Sequence, residues 1–240
     1  LVKEIRSILP RKKGYRTNDF RRFNYIPLNL LRELKVDLNE LSGSKIGFSF
    51  SDYYLPSIIK MDHNFIELLG LYIAEGSMLK TLTRLHFSFG YKETSLVYYL
   101  YDLFEKVFWF SPLIKSAHRT AYKVVANSKI LCFFFKYILN VGDSANKKRI
   151  PDIIFSLSKE LRYSFLIAYL TGDGHPTEEL FKILRNNLTL KDMQTQKITC
   201  ATASFELYNG LQYLLASLGL GYSVGENDPS KRMVKGILAK

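Results

Sequence analysis

Acidic residues are scarce in this chain of 240 residues: 22 Asp and Glu stand against 34 Lys and Arg, a net charge of +12. Such a surplus leaves the fold open but predicts attraction to a polyanion, either nucleic acid or an acidic membrane surface. Cysteine is scarcer still. Cys132 and Cys200 both sit in apolar runs, and with no C-x-x-C pair a cysteine-built zinc site is excluded. Two buried free thiols are expected, in a reducing compartment inside the cell. Long apolar runs are also missing. The strongest, from Ile130 to Phe135, ends at Lys136, far short of a bilayer span, and no signal peptide is expected. No segment reads as a basic amphipathic helix with a clear apolar face, so no membrane partner is expected. The first residue is Leu rather than Met, which reads as a piece of a larger chain.

The hydrophobic content, 47%, suffices for one large or two small cores, and most of the 16 Tyr and 17 Phe should lie in core or sheet. Positive charge is concentrated at the start. Residues 1–22 hold eight basic side chains against Glu4 and Asp19, a net of +6. Arg11, Lys12, Lys13, Arg21 and Arg22 there suit a phosphate-contacting arm as well as a solvated tail.

Two segments answer each other: Leu68-Leu69-Gly70-Leu71-Tyr72-Ile73-Ala74-Glu75-Gly76 and Leu166-Ile167-Ala168-Tyr169-Leu170-Thr171-Gly172-Asp173-Gly174. Each reads as an apolar helix ending in acid-Gly, and the acids are 98 residues apart, a reasonable length for a duplicated α/β unit. The first helix is expected to start near Asn64, with Glu67 completing a capping box, and to stop at a left-handed Gly76. The second is expected from Ser158 to Gly174, with Pro176 preventing continuation.

After the first motif, Arg84, His86 and Ser88 alternate with Leu85, Phe87 and Phe89, which predicts a half-buried strand with one polar face. Residues 93–108 read as an amphipathic helix, 113–126 as a hairpin turning at Arg119-Thr120, and 129–139 as a second helix. Residues 142–151 form a basic linker with Lys147, Lys148 and Arg149. The second unit repeats the pattern less cleanly. Lys197, Thr199 and Ala201 alternate with Ile198 and Cys200, residues 204–218 read as a helix closed by Gly219, and a partial hairpin follows. The helix expected to end this unit is missing, so it reads as truncated. Residues 181–191 fit strand or helix. In the first 60 residues, 28–34 read as a short helix and 46–54 as a strand or hairpin. Three segments are therefore expected: a basic N-terminal module over 1–60, a first unit over 61–150 and a second over 151–240.

Small residues recur four apart on each motif helix, Gly70 and Ala74 on one, Ala168 and Gly172 on the other. Such stripes let two helix backbones approach closely, which would place Glu75 beside Asp173. Each acid would then sit at the negative end of a helix dipole and repel the other, raising one pKa. A divalent cation relieves both penalties, and Mg²⁺ accepts one or two carboxylates together with water and phosphate oxygens. A single copy of this motif is accounted for by a core helix with a solvated acid. Two copies in a chain of net charge +12 are not.

The paired motifs resemble those of the monomeric LAGLIDADG homing endonucleases. Lys148-Arg149-Ile150-Pro151 before the second motif looks like the stretch joining the halves of intein-borne members, and Arg21-Arg22, Ile26-Pro27 and Leu55-Pro56 look similar to their upstream region. The resemblance implies an α+β fold of two pseudo-symmetric ββαββα half-domains, forming a saddle on double-stranded DNA. It implies a monomer that makes a staggered double-strand break in a long asymmetric target. Glu75 and Asp173 would hold the metal, Mg²⁺, with Mn²⁺ or Ca²⁺ able to replace it for binding. Glu75 stands where many members have Asp, and Thr171 where many also have Asp. The family places a basic or polar residue near each metal, and Lys92, Lys123 and Lys197 are the candidates. Splicing needs an N-terminal Cys or Ser and a C-terminal His-Asn, so no splicing half is expected between Leu1-Val2 and Ala239-Lys240.

On the expected strand faces, Arg84, His86, Ser88, Lys115, Arg119, Lys123, Thr195, Lys197 and Thr199 suit base edges and phosphates, or a plain solvated surface. His175 reads as a loop histidine. An intron RNA maturase, or a DNA-binding regulator on the same fold, is the alternative; an acid retained in both motifs favours the nuclease.

Overall fold

In a computed structural model, which describes residues 22, 24–33, 36–49, 51–117, 120–175, 181–183, 198–225 and 235–239, the chain divides into two compact units, 1–44 and 45–240. In the first unit, Leu28–Glu33 forms a helix (α1) that starts on the carbonyl of Pro27, which accepts from the amides of Leu30 and Leu31. Proline cannot donate and fixes its own φ, so it suits a helix start. A 3₁₀ turn at Leu38–Leu41 follows, capped by Asp37, whose carboxylate accepts from Asn39 N.

The second unit opens with a minimal hairpin. Lys45–Ile46 (β1) pairs antiparallel with Leu55–Pro56 (β2), so only the two ends of the expected hairpin are strand. The first motif helix (α2) spans His63–Glu75 and runs straight into strand Gly76–Met78 (β3). Leu85–Gly90 (β4), helix Thr94–Phe108 (α3), Leu113–Ala117 (β5) and Ala121–Ala126 (β6) follow. Helix Lys129–Phe133 (α4) then continues as a π-turn through Ile138. After a short helix at Asp152–Ser156 (α5), the second motif helix (α6) spans Lys159–Asp173 and enters Gly174–His175 (β7). Ile198–Thr202 (β8), helix Phe205–Leu218 (α7), Tyr222–Gly225 (β9) and Lys235–Ala239 (β10) complete the described elements.

Two antiparallel sheets result, ordered β3-β4-β6-β5 and β7-β8-β10-β9. The orders correspond strand for strand, and in each sheet the first strand continues directly from a motif helix. The internal duplication in the sequence is thus a duplication of topology. β4 buries Leu85, Phe87 and Phe89 while Ser88 is exposed, as its alternation predicts. Helix α7 begins at Ser204, whose hydroxyl accepts from Leu207 N at 3.2 Å, and closes at Gly219 with φ +74°. The core gathers both motif helices with a run of rings, Tyr72, Phe87, Phe104, Phe108 and Phe135, packed mostly edge to face.

Several expectations need correction. Helix α2 is capped by Asp62, which accepts from Phe65 N at 3.2 Å, not by an Asn64–Glu67 box. Glu67 is buried instead, taking hydrogen bonds from the hydroxyls of Tyr99 and Ser164. Gly76 is extended (φ −79°, ψ 154°), not left-handed, and so is Gly174 (φ −97°, ψ 166°). Each chain passes directly from helix to strand with no reversal, so no left-handed residue is needed. Gly76 is required for space: a Cβ there would lie 2.2 Å from Tyr72 Cδ2. The same continuation places His175 in a strand opposite Thr199, not in a loop. Most of the ambiguous 181–191 stretch lies outside the described residues, within which 181–183 are helical.

Candidate active site

Helices α2 and α6 pack along their small residues. A Cβ on Gly70 would lie 2.6 Å from Phe165 O and 2.7 Å from Ala168 Cβ. A Cβ on Gly172 would lie 2.6 Å from Ala74 Cβ and 3.3 Å from Glu75 Cγ. No larger residue fits at either glycine without parting the helices. The close approach brings their C-terminal ends together, and Glu75 and Asp173 line one cavity of about 250 Å³ with Ser77, Lys148 and Thr202.

The electrostatics follow from this crowding. Burial pushes Glu75 up to about 8, with Asp173 and Glu93 adding repulsion and Lys148 opposing it. Asp173 lies on the more open side and is raised less, to about 6; burial raises it, while a hydrogen bond from Tyr169 and the charge of Lys148 lower it. Lys148 is 4% exposed, and burial lowers its amine to about 7 against the pull of both acids. All three groups are displaced toward neutrality, where an unperturbed set would be fully charged.

The linker between the repeats carries Lys148 into this position. Gly142 turns it at φ +79°, where a Cβ would strike Lys147 O. Tyr72 donates its hydroxyl to Gly142 O at 2.9 Å, and Met78 N donates to Asp143 O at 3.1 Å. From the second repeat, Ser204 Oγ donates to Lys148 O at 2.6 Å. The amine then donates to the carbonyls of Tyr72 and of Ile73, the latter at 3.1 Å, and sits 4.4 Å from the Tyr72 ring centroid. Those carbonyls belong to the last turn of α2, the negative end of the helix, where cations are favoured; Tyr72 O also accepts from Gly76 N. In the sequence Lys148 reads as one charge of a basic linker, not as a site residue. The available signal was its position in Lys-Arg-Ile-Pro ahead of the second motif.

Of the three lysines expected near the metal, Lys92 and Lys123 do not line this cavity, and Lys197 is not among the described residues. Lys123 is exposed on β6, opposite Ser88 on β4 and Lys115 on β5, so the three share one row and one face of the sheet. Ser88 is one register step beyond Phe87, which pairs with Gly76, the residue after the first motif acid. His86 belongs to the same face, with its Nε2 2.8 Å from Ser77 Oγ. Burial, Lys123 and Arg84 hold its pKa down. Arg84 donates to Asn127 Oδ1 at 2.7 Å. Lys92 is exposed at the far end of β4, its amine 5.8 Å from the Tyr91 ring centroid. Thr199 is exposed on β8 and Arg22 is exposed in the N-terminal unit. Arg11, Lys12, Lys13, Arg21, Arg119, Thr195 and Lys197 lie outside the described residues.

Among the described residues, no cluster of three or more His, Cys, Asp or Glu is arranged to hold a metal. Two carboxylates in a cavity of this size nevertheless suit a hard cation that keeps waters and takes further oxygens from a ligand. Their raised pKa values are the penalty such a cation would remove. No described helix is long and apolar enough to cross a membrane.

No protein-family model matches the chain. An uncharacterized protein of Methanocaldococcus jannaschii, MJ1054, is 29% identical over 177 residues, covering 71% of this chain and 18% of that protein. The DNA polymerase II large subunit of Thermococcus kodakarensis is 25% identical over 232 residues, 92% of this chain and 12% of the subunit. A DNA polymerase of Thermococcus litoralis is 30% identical over 189 residues, 75% of this chain and 10% of the polymerase. The chain thus spans under a fifth of these relatives. Among solved structures, a variant of the homing endonuclease I-DmoI, in complex with its target DNA in the presence of manganese, aligns at a TM-score of 0.50 and 13% identity, covering 75% of this chain and 88% of that one. A study of mesophilic I-DmoI variants gives a TM-score of 0.50 at 14% identity, over 75% and 89% of the chains. The sheet order, the paired motif helices and these alignments give this chain the fold of the LAGLIDADG homing endonucleases.

Proposed function

We propose that this chain is a site-specific DNA endonuclease that makes a staggered double-strand break in a long, asymmetric target. The observation that carries the reading is the convergence of one acid from each repeat, Glu75 and Asp173, in a single cavity with a buried lysine. Glu75 and Asp173 would hold Mg²⁺, with Mn²⁺ or Ca²⁺ able to take its place for binding. When bound, the cation supplies charge neutralisation at the scissile phosphate. Lys148, whose amine titrates near neutrality, accepts or returns a proton at the attacking water or the leaving oxygen. Lys123 and Lys197 would orient the phosphate. Lys92 is better suited to a backbone contact.

Arg84, His86, Ser88, Lys115, Lys123 and Thr199 would face double-stranded DNA, joined by Arg119, Thr195 and the basic arm with Arg11, Lys12, Lys13, Arg21 and Arg22. Residues 61–150 and 151–240 would each serve one strand of the duplex as halves of a monomer in a reducing, intracellular setting, with the first 60 residues as a DNA-contacting module. The matches to Thermococcus polymerases cover about a tenth of each enzyme, as expected of an endonuclease segment carried within a host protein.

Incubating the chain with a randomised double-stranded DNA library tests the reading. Cutting at one long enriched site with Mg²⁺, and none with EDTA, is the expected result. Tight metal-independent retention of DNA or structured RNA without cutting would move the reading to a regulator or a maturase.

A further inference from the structure

The two motif acids are not held alike. Tyr169 lies one helical turn before Asp173 on α6, is 0% exposed, and donates its hydroxyl to Asp173 Oδ2 at 2.9 Å. On the neighbouring strand, Cys200 pairs in register with Gly174, and its thiol lies within hydrogen-bonding reach of the same hydroxyl. The phenol is thus enclosed by the core on its ring and by polar partners at its tip, so it has one orientation to offer. One turn before Glu75 the residue is Leu71, which has no hydroxyl. Among the described residues, no side chain hydrogen-bonds the Glu75 carboxylate.

The consequence is a difference in preorganisation. Asp173 has a short side chain, and with Oδ2 engaged it presents Oδ1 in a set direction. Glu75 has one more rotatable bond, and beyond its Cγ, which packs against Gly172, no hydrogen bond among the described residues fixes the carboxylate. Ordering a rotamer-rich side chain weakens binding by roughly two- to tenfold, enough to separate two otherwise equivalent half-sites.

We propose that Tyr169 is a positioning residue that holds Asp173 ready, so that the strand served by Asp173 is cut before the strand served by Glu75. The proposal rests on the endonuclease reading for its strand order, and on geometry alone for the positioning role. It is tested with Tyr169→Phe, which keeps the ring and removes the hydroxyl, using a target labelled on each strand. The native chain should accumulate one nicked intermediate. In Tyr169→Phe the first nick should slow about tenfold while the second changes less than twofold, so the bias disappears. Calorimetric titration of the chain with Ca²⁺ gives a readout independent of cutting: Tyr169→Phe should weaken one binding event several-fold and leave the other unchanged. Equal effects on both strands, or identical Ca²⁺ isotherms, overturn the proposal. Should Tyr169→Phe melt too low to assay, Cys200→Ala, which loosens the phenol from its other side, must reduce the nick bias; an unchanged bias there also overturns it. A native chain that cuts no DNA defeats the endonuclease reading instead, and the Ca²⁺ comparison then still decides whether Tyr169 positions Asp173.

Discussion

Gly70 and Ala168 face each other so closely that a Cβ on the glycine would lie 2.7 Å from the alanine Cβ. Phe165 O is nearer still, at 2.6 Å, and as backbone of a packed helix it cannot swing away. This contact sets the spacing of α2 and α6, and with it the separation of Glu75 and Asp173.

Gly70→Ala therefore has a diagnostic sign. In an ordinary helix interior the change stabilises by about 0.8–1.0 kcal/mol. Here overpacking should destabilise by about 1–3 kcal/mol. At about 2–4 °C per kcal/mol for a chain of this size, thermal melting resolves the difference. A raised melting temperature would mean the helices are not in close contact.

Lys148→Met tests the buried amine. The substitution keeps most of the volume but leaves Glu75 and Asp173 without their buried cation, so the melting temperature should fall in metal-free buffer and recover in part with a divalent cation. DNA affinity should change little, and cutting should fall by about 10²–10⁴-fold. Cutting within a factor of a few of the native rate would remove Lys148 from the chemistry.

The metal-free protein should lose stability as pH rises from about 5 to 8. Glu75 and Asp173 titrate near 8 and 6 when folded, above their ordinary values of 4.5 and 3.8. Between those limits the folded chain holds protons that the unfolded chain has released. Their stabilising contribution is complete below pH 4 and is lost as pH passes through both folded values. Lys148 acts oppositely: its folded value near 7 is below the ordinary 10.5, so stability recovers across that interval. Melting in EDTA at several pH values should show the fall, and the Glu75→Gln, Asp173→Asn double variant should flatten it. A fall of equal size in the double variant would assign it to other groups.

Ser164 Oγ donates to Glu67 Oε1 at 2.8 Å, tying α6 to α2 far from the active site. Ser164→Val should cost about 1–3 kcal/mol by leaving a buried carboxylate short of a donor. Burial already raises the Glu67 pKa, so the loss should shrink at low pH, where the group is protonated. A loss independent of pH would indicate a packing defect alone.

Much of this architecture was legible in the sequence because it is written in periodicity. The alternation from Leu85 to Phe89 fixed a strand and its faces, and Gly70, Ala74, Ala168 and Gly172 carried the stripe along which the motif helices meet. Local chemistry that depends on a distant partner was not legible. Glu67 fits a capping box by spacing, yet it is satisfied by Tyr99 and Ser164, 32 and 97 residues away. Lys148 sits in a basic run, where charge suggests solvent. Its burial depends on Ser204, 56 residues on, and on the carbonyls of Tyr72 and Ile73 at the end of the first motif helix. The resemblance of the flanking Lys-Arg-Ile-Pro pointed to the segment without saying which side chain turned inward.

The central claim is that one carboxylate from each repeat serves a shared, metal-dependent cut of two DNA strands. It is tested most directly by measuring double-strand cleavage of the selected target by Glu75→Gln and Asp173→Asn in Mg²⁺, beside DNA affinity measured in Ca²⁺. Each variant should make no detectable double-strand breaks while binding DNA within about threefold of the native chain, a difference of less than about 1 kcal/mol. Double-strand cutting that survives either substitution would contradict the two-acid account.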